Sequence, residues 1–157
     1  MSEDLKARIR RLEDREEIKE LKARYFRLMD TKRFDELVLV FTADATAQWD
    51  DAPGVAQPEG ERRAVGAEAI VARIMSTVRP RVTIHHGHLA EIEFVGLDEA
   101  RGIWAMEDII ERPGAAVPSF HGFGHYWERY LRVDGEWRIA DLRLTRLSVH
   151  KAPSWRP

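Results

Sequence analysis

Pro80-Arg81-Val82-Thr83-Ile84-His85-His86-Gly87-His88-Leu89-Ala90-Glu91-Ile92-Glu93-Phe94 is the stretch at which apolar residues stop recurring at helical intervals and begin to alternate. Upstream of Pro80 the pattern is helical. Glu3 to Met29 contains no Gly or Pro, and Ile9, Leu12, Ile18, Leu21, Tyr25, Leu28 and Met29 predict one long amphipathic helix, with a break near Asp14 and a charged, solvated start over 3–17. Asp30 closes it, and a short second helix carries Phe34, Leu37, Val38 and Phe41. Residues 45–50 predict a short strand, and 51–63, with Pro53, Gly54, Pro58 and Gly60, a loop long enough to serve as a lid. Residues 66–78 return to helix, which Pro80 ends.

Downstream, the alternating runs 82–94, 100–112, 119–133 and 137–150 predict strands, and Asp134-Gly135 is a strong hairpin signal. Helices first and hairpin-connected strands after describe an α+β domain with helices on one face of a curved, mostly antiparallel sheet. At 157 residues with no internal linker or repeat, the chain reads as one domain, residues 1–14 being a helical extension and 151–157 an irregular tail in which Trp155 covers an opening.

A net charge of −2 with acids and bases interleaved argues against a nucleic-acid platform. Without cysteine there are no disulfides or thiolate metal sites. The charged first residues do not resemble a signal peptide, and no apolar run approaches a membrane span, so a cytoplasmic protein is expected.

Polar residues on apolar faces mark the candidate site. Alternation places Gly102, Trp104, Met106, Asp108 and Ile110 on one face of their strand, where the Asp108 carboxylate needs a partner. Arg146 lies on the apolar face of the last strand with Leu142 and Leu144; Asp108 or Asp30 would be its simplest counter-ion. Tyr25 lies on the apolar stripe of the first helix, close to Asp30. If Val82 and Ile84 mark the core face, His86 and His88 point inward and His85 outward. A histidine facing Asp108 would form an imidazole–carboxylate pair. His121 and His125 share a face with Phe123 and Trp127, and are read as either cavity-lining or surface groups. His86-Gly87-His88 presents two imidazoles at i and i+2, but Glu91 follows too soon for the metal enzymes that use such a pair, and no metal is expected.

Together, Ile18 to Phe26 with Asp30, His85-His86-Gly87-His88 with Glu91-Ile92, Trp104 to Asp108, and Asp134 to Trp137 with Arg146 resemble the SnoaL-like branch of the nuclear transport factor 2-like superfamily. Within it they resemble the bile acid 7α-dehydratase and scytalone dehydratase type. The resemblance covers about 15–147 and implies a cone-shaped α+β barrel with an apolar cavity, in a homo-oligomer such as a dimer or trimer. It selects Tyr25, Asp30, His85, Asp108 and Arg146 as catalytic residues, with His86 the alternative histidine. The implied chemistry is loss of water from a hydroxylated, carbonyl-activated apolar substrate (steroid, polyketide or aromatic), without a cofactor. His85 oriented by Asp108 would be the base, and Tyr25 supported by Asp30 the enolate stabiliser. Phe26, Trp49, His86, Trp104, Met106, His121 and Phe123 would bind substrate. An isomerase, an aldehyde-releasing lyase and a non-catalytic binding module are the alternatives.

Overall fold

The computed structural model of the chain describes residues 3–50, 62–114 and 119–153. Its order is α1 (Glu3–Asp30), α2 (Phe34–Leu37), a 3-10 turn (Val38–Val40), β1 (Phe41–Trp49), β2 (Arg63–Val65), α3 (Ala67–Val78), β3 (Val82–Phe94), β4 (Glu99–Glu111), β5 (Phe120–Val133) and β6 (Glu136–Lys151). Residues 51–61 of the loop expected as a lid and 154–157 of the tail, with Trp155, lie outside the described residues; the loop's end, Arg63, begins β2, and Lys151, expected in the irregular tail, ends β6.

The strands form one six-stranded sheet in the order β2-β1-β6-β5-β4-β3, which does not close on itself. β3 to β6 are a continuous antiparallel meander, and Asp134 and Gly135, both at positive φ, make the two-residue turn between β5 and β6. The sheet is mixed because β1 runs parallel to β6. Alternation within one strand carries no information on this pairing, which depends on a long connection through β2, α3 and the meander.

The helices cover one face. α3 buries Ile70, Val71, Ile74 and Val78, and α1 buries Ile18, Leu21, Tyr25, Phe26, Leu28 and Met29. α1 is unbroken at Asp14, whose carboxylate is buried by Arg132 of β5; before it the helix is largely exposed.

Beneath α1 the core contains charge. Lys22 and Glu128, with side chains 1% and 0% exposed, meet at 2.5 Å. The hydroxyl of Tyr130 donates to the other Glu128 oxygen and accepts a 2.8 Å bond from Trp104 Nε1. The Lys22 ammonium lies 3.5, 4.4 and 4.6 Å from the ring centroids of Tyr126, Tyr25 and Phe26. Desolvation brings Lys22 down from 10.5 to about 8, against the upward pull of Glu128.

All three tyrosines of the chain are buried, and burial raises each phenol above its ordinary value. The unfolded chain loses these protons near pH 10 and the folded chain does not, so each phenol weakens stability by about 1.4 kcal/mol per pH unit above pH 10. Lys22 acts in the opposite sense: its stabilising contribution is complete above 10.5 and is lost as pH falls through about 8. Spectrophotometric titration is therefore expected to show no tyrosinate until alkaline unfolding, then all three phenols ionising in one cooperative step. Gradual ionisation of any tyrosine at pH 10 with the fold intact would contradict this burial.

Candidate active site

Four adjacent strands and the end of α1 bring the polar groups together. His85 on β3 lies directly opposite Asp108 on β4, and Asp108 lies opposite Gly122 on β5. Gly122 leaves the space that Arg146 crosses from β6; a Cβ there would strike Arg146 Nη1 and Asp108 Oδ1. Arg146 thus grips Asp108 with two parallel bonds, Nη1 to Oδ1 and Nη2 to Oδ2, each 2.6 Å.

The histidine segment faces opposite to the strict alternation argument. Thr83 and His85 are buried, whereas Val82 and Ile84 are exposed on the outer sheet face. The cause is Asp30. β3 is an edge strand, so the N–H groups along its open edge have no strand partner, and Asp30 Oδ2 accepts that of His85 at 2.9 Å. Its Oδ1 is 2.6 Å from His85 Nδ1 and accepts a 2.8 Å bond from Thr83 Oγ1, which itself accepts from Lys32 Nζ at 2.7 Å. One carboxylate at the helix end fixes both the facing of β3 and the orientation of the imidazole. The Phe26 ring lies nearly parallel to the imidazole, with centroids 6.1 Å apart.

The partner of His85 is therefore Asp30, and the expected pairing with Asp108 is corrected: Asp108 Oδ2 is 4.0 Å from Nε2, beyond hydrogen-bond reach, and is engaged by Arg146. The expected Asp30 support of Tyr25 is corrected with it. Among the described residues Asp30 bonds to Thr83 and His85 and not to the Tyr25 hydroxyl, and the Tyr25 ring meets that of Tyr126 edge-on with centroids 6.0 Å apart. With Nδ1–H donated to Asp30, Nε2 of His85 carries the free lone pair.

A cavity of about 190 Å³ opens at this Nε2 side. Its wall includes Tyr25, His85, Asp108, Tyr126 and Arg146, with Trp49 and Leu144 from the sheet and Arg73, Ile74, Thr77 and Val78 from α3. Of the other residues expected to bind substrate, Phe26, Trp104 and His86 line a second groove of about 380 Å³ between α1 and β3, which His85 borders together with Asp30, and Met106 is buried near Arg146. His86, His121 and Phe123 lie on the outer face of the sheet, because Gly122, Gly124 and Tyr126 take the inner face of β5. There Glu107 gathers His121 at 2.9 Å, His86 at 3.4 Å and His88 at 3.9 Å. Among the described residues no three His, Asp or Glu side chains are arranged to hold a metal ion. A larger concavity of about 730 Å³, between Glu91, Arg101, Trp127 and Arg129, lacks the histidine and both tyrosines. The 190 Å³ cavity is the candidate site because His85 lines it together with Asp108, Arg146 and both tyrosines, whereas the α1–β3 groove meets His85 on its Asp30 side without them.

The SnoaL-like domain pattern matches residues 10–143. The chain belongs to the SnoaL-like family. Solved structures support the fold of this SnoaL-like protein. An NTF2-like protein with a cystatin-like fold from Novosphingobium aromaticivorans is 26% identical, with a TM-score of 0.71 over 92% of this chain and 88% of its own. A protein from the same organism, provisionally named a scytalone dehydratase, is 21% identical, with a TM-score of 0.76 over 91% and 90%. The hexachlorocyclohexane dehydrochlorinase LinA-type3 from Novosphingobium barchaimii is 21% identical, with a TM-score of 0.74 over 95% and 98%. Among the described residues no helix is long and apolar enough to cross a membrane.

Tyr126 is the cavity residue that sequence reasoning misses, although a period of two sets it on one face of β5 with Gly122 and Gly124. Two glycines spaced by two on a long strand signal a place where other side chains cross, and the third member of that face was the one to follow.

Proposed function

We propose that this SnoaL-like protein is a lyase that removes water from a small, hydroxylated, carbonyl-activated apolar substrate, with His85 as the base. The supporting observation is the Asp30–His85 pair, which leaves Nε2 free toward a cavity that also holds two buried, protonated phenols. The C–H bond next to the carbonyl breaks, its proton passes to His85 Nε2, and its electron pair forms an enolate. The Tyr25 O–H donates to the enolate oxygen, where negative charge appears only as the reaction proceeds. The enolate then expels the β-hydroxyl, which leaves as water with the proton that His85 carried. Asp108, 4.0 Å from Nε2, favours the transient imidazolium, and Arg146 holds Asp108 in place. These steps require proton transfer alone and no cofactor.

A cavity of about 190 Å³ is below the roughly 300–1,000 Å³ usual for drug-sized ligands. Within the proposed range of substrates it favours an aromatic or short polyketide over a steroid. The same reading makes the protein a cytoplasmic homo-oligomer, a dimer or trimer, in which the exposed apolar outer face of the sheet (Val82, Ile84, Trp127) is a natural contact. An isomerase or an aldehyde-releasing lyase would use the same base and donor.

Incubation with a panel of aromatic and polyketide-like β-hydroxy ketones, read by mass, separates these reactions. Loss of water is expected; unchanged mass means an isomerase, aldehyde release means a retro-aldol lyase, and no turnover by any member rejects the dehydratase reading. On the substrate so found, Asp30→Asn is expected to lower kcat by about 10²-fold or more, because an amide no longer fixes the Nδ1–H tautomer. Asp108→Asn should cost less. A larger loss for Asp108→Asn would assign the orienting role to Asp108.

A further inference from the structure

Among the described residues, the charges on the cavity wall do not balance. Asp108 and Arg146 neutralise each other through two bonds, and Asp30, behind the wall, is taken up by His85 and Thr83. Arg73 of α3 lines the same cavity, half-buried, yet its guanidinium has no hydrogen-bond or ion-pair partner among the described residues. Thr77, one helical turn on, lines the cavity too, with its hydroxyl unpartnered among the described residues. Most of the remaining wall is apolar, and among the described residues it supplies no counter-ion.

We infer that the ligand of this cavity carries an anionic oxygen group, most simply a carboxylate, which Arg73 and Thr77 hold at the cavity mouth. A guanidinium presents paired donors matched to a carboxylate, and the hydroxyl one turn away supplies another. The apolar body of the ligand would then extend from α3 toward His85 on the opposite wall. This deepens the proposed function, since it rests on the same cavity and narrows the substrate to a hydroxy-keto acid or a related anionic compound.

Calorimetric titration with 2-naphthoate and 2-naphthamide, which share a shape and differ in charge, tests the inference without needing turnover. The wild-type protein is expected to bind the naphthoate about tenfold or more tightly than the amide, the scale of hydrogen bonds to a charged group, and added salt should shrink the difference. Arg73→Gln is expected to abolish the preference and Arg73→Lys to keep part of it, with the amide bound equally by all three proteins. Equal binding of both probes by the wild type, a preference that survives Arg73→Gln, or failure of the naphthoate to bind at millimolar concentration would each overturn the inference. The two readings also fail separately. Arg73-dependent naphthoate binding without turnover of any hydroxy acid leaves the anion site standing and rejects the lyase; turnover of neutral substrates at a rate indifferent to Arg73→Gln does the reverse.

Discussion

Replacing His85 by alanine is expected to lower kcat for the elimination by about 10²–10⁴-fold, the range a positioned general base contributes, with KM changed far less. The fold should survive. Asp30 keeps its bonds from Thr83 Oγ1 and from the backbone N–H of residue 85, which no side-chain change removes. Steady-state kinetics together with circular dichroism check both statements. Because His86 points outward to Glu107, His86→Ala should leave kcat within a few-fold of wild type. If the two variants exchanged these effects, the inward facing of His85 on β3 would be wrong.

The second large effect concerns stability. Lys22→Met keeps an unbranched side chain but leaves the Glu128 carboxylate fully buried without its counter-ion, a change that costs about 3–5 kcal/mol. For a chain of this length that corresponds to a fall in Tm of roughly 10 °C. Adding Glu128→Gln should recover most of the loss, because the amide still accepts from Tyr130 and carries no charge. Thermal melts of the wild type, the two single variants and the double variant form the cycle that measures the pair. A Lys22→Met variant as stable as wild type would show that the lysine charge is not buried against Glu128. The ammonium also packs beneath both cavity phenols, so the double variant reports whether that pair is needed to hold the rings.

The alternating strands were legible because a half-buried strand writes its facing into a period of two. Asp108 among Trp104, Met106 and Ile110, and Arg146 beside Leu142 and Leu144, announce buried charge from the sequence alone. What failed were inferences requiring knowledge of the partner. Val82 and Ile84 read as the core face of β3, but the outer face of this sheet is also apolar, and Asp30 at the end of α1 draws Thr83 and His85 inward instead. His121 and Phe123 were counted with the cavity because their alternation fixes a common face without saying which side it takes; the glycines of β5 decide that, since Arg146 must pass over Gly122. Lys22 gave no sign at all. A lysine between apolar residues of a charged helix reads as solvated, and only the arrival of Glu128 from a distant strand makes its burial tenable.

Turnover of a β-hydroxy ketone deuterated next to the carbonyl, compared between the wild type and His85→Ala, tests the central claim most directly. The wild type should give a product that has lost both water and the deuteron, more slowly than from the unlabelled compound, and His85→Ala should give almost none. Product that has lost water but kept every deuteron, or a His85→Ala variant that turns over at the wild-type rate, would contradict proton abstraction by His85.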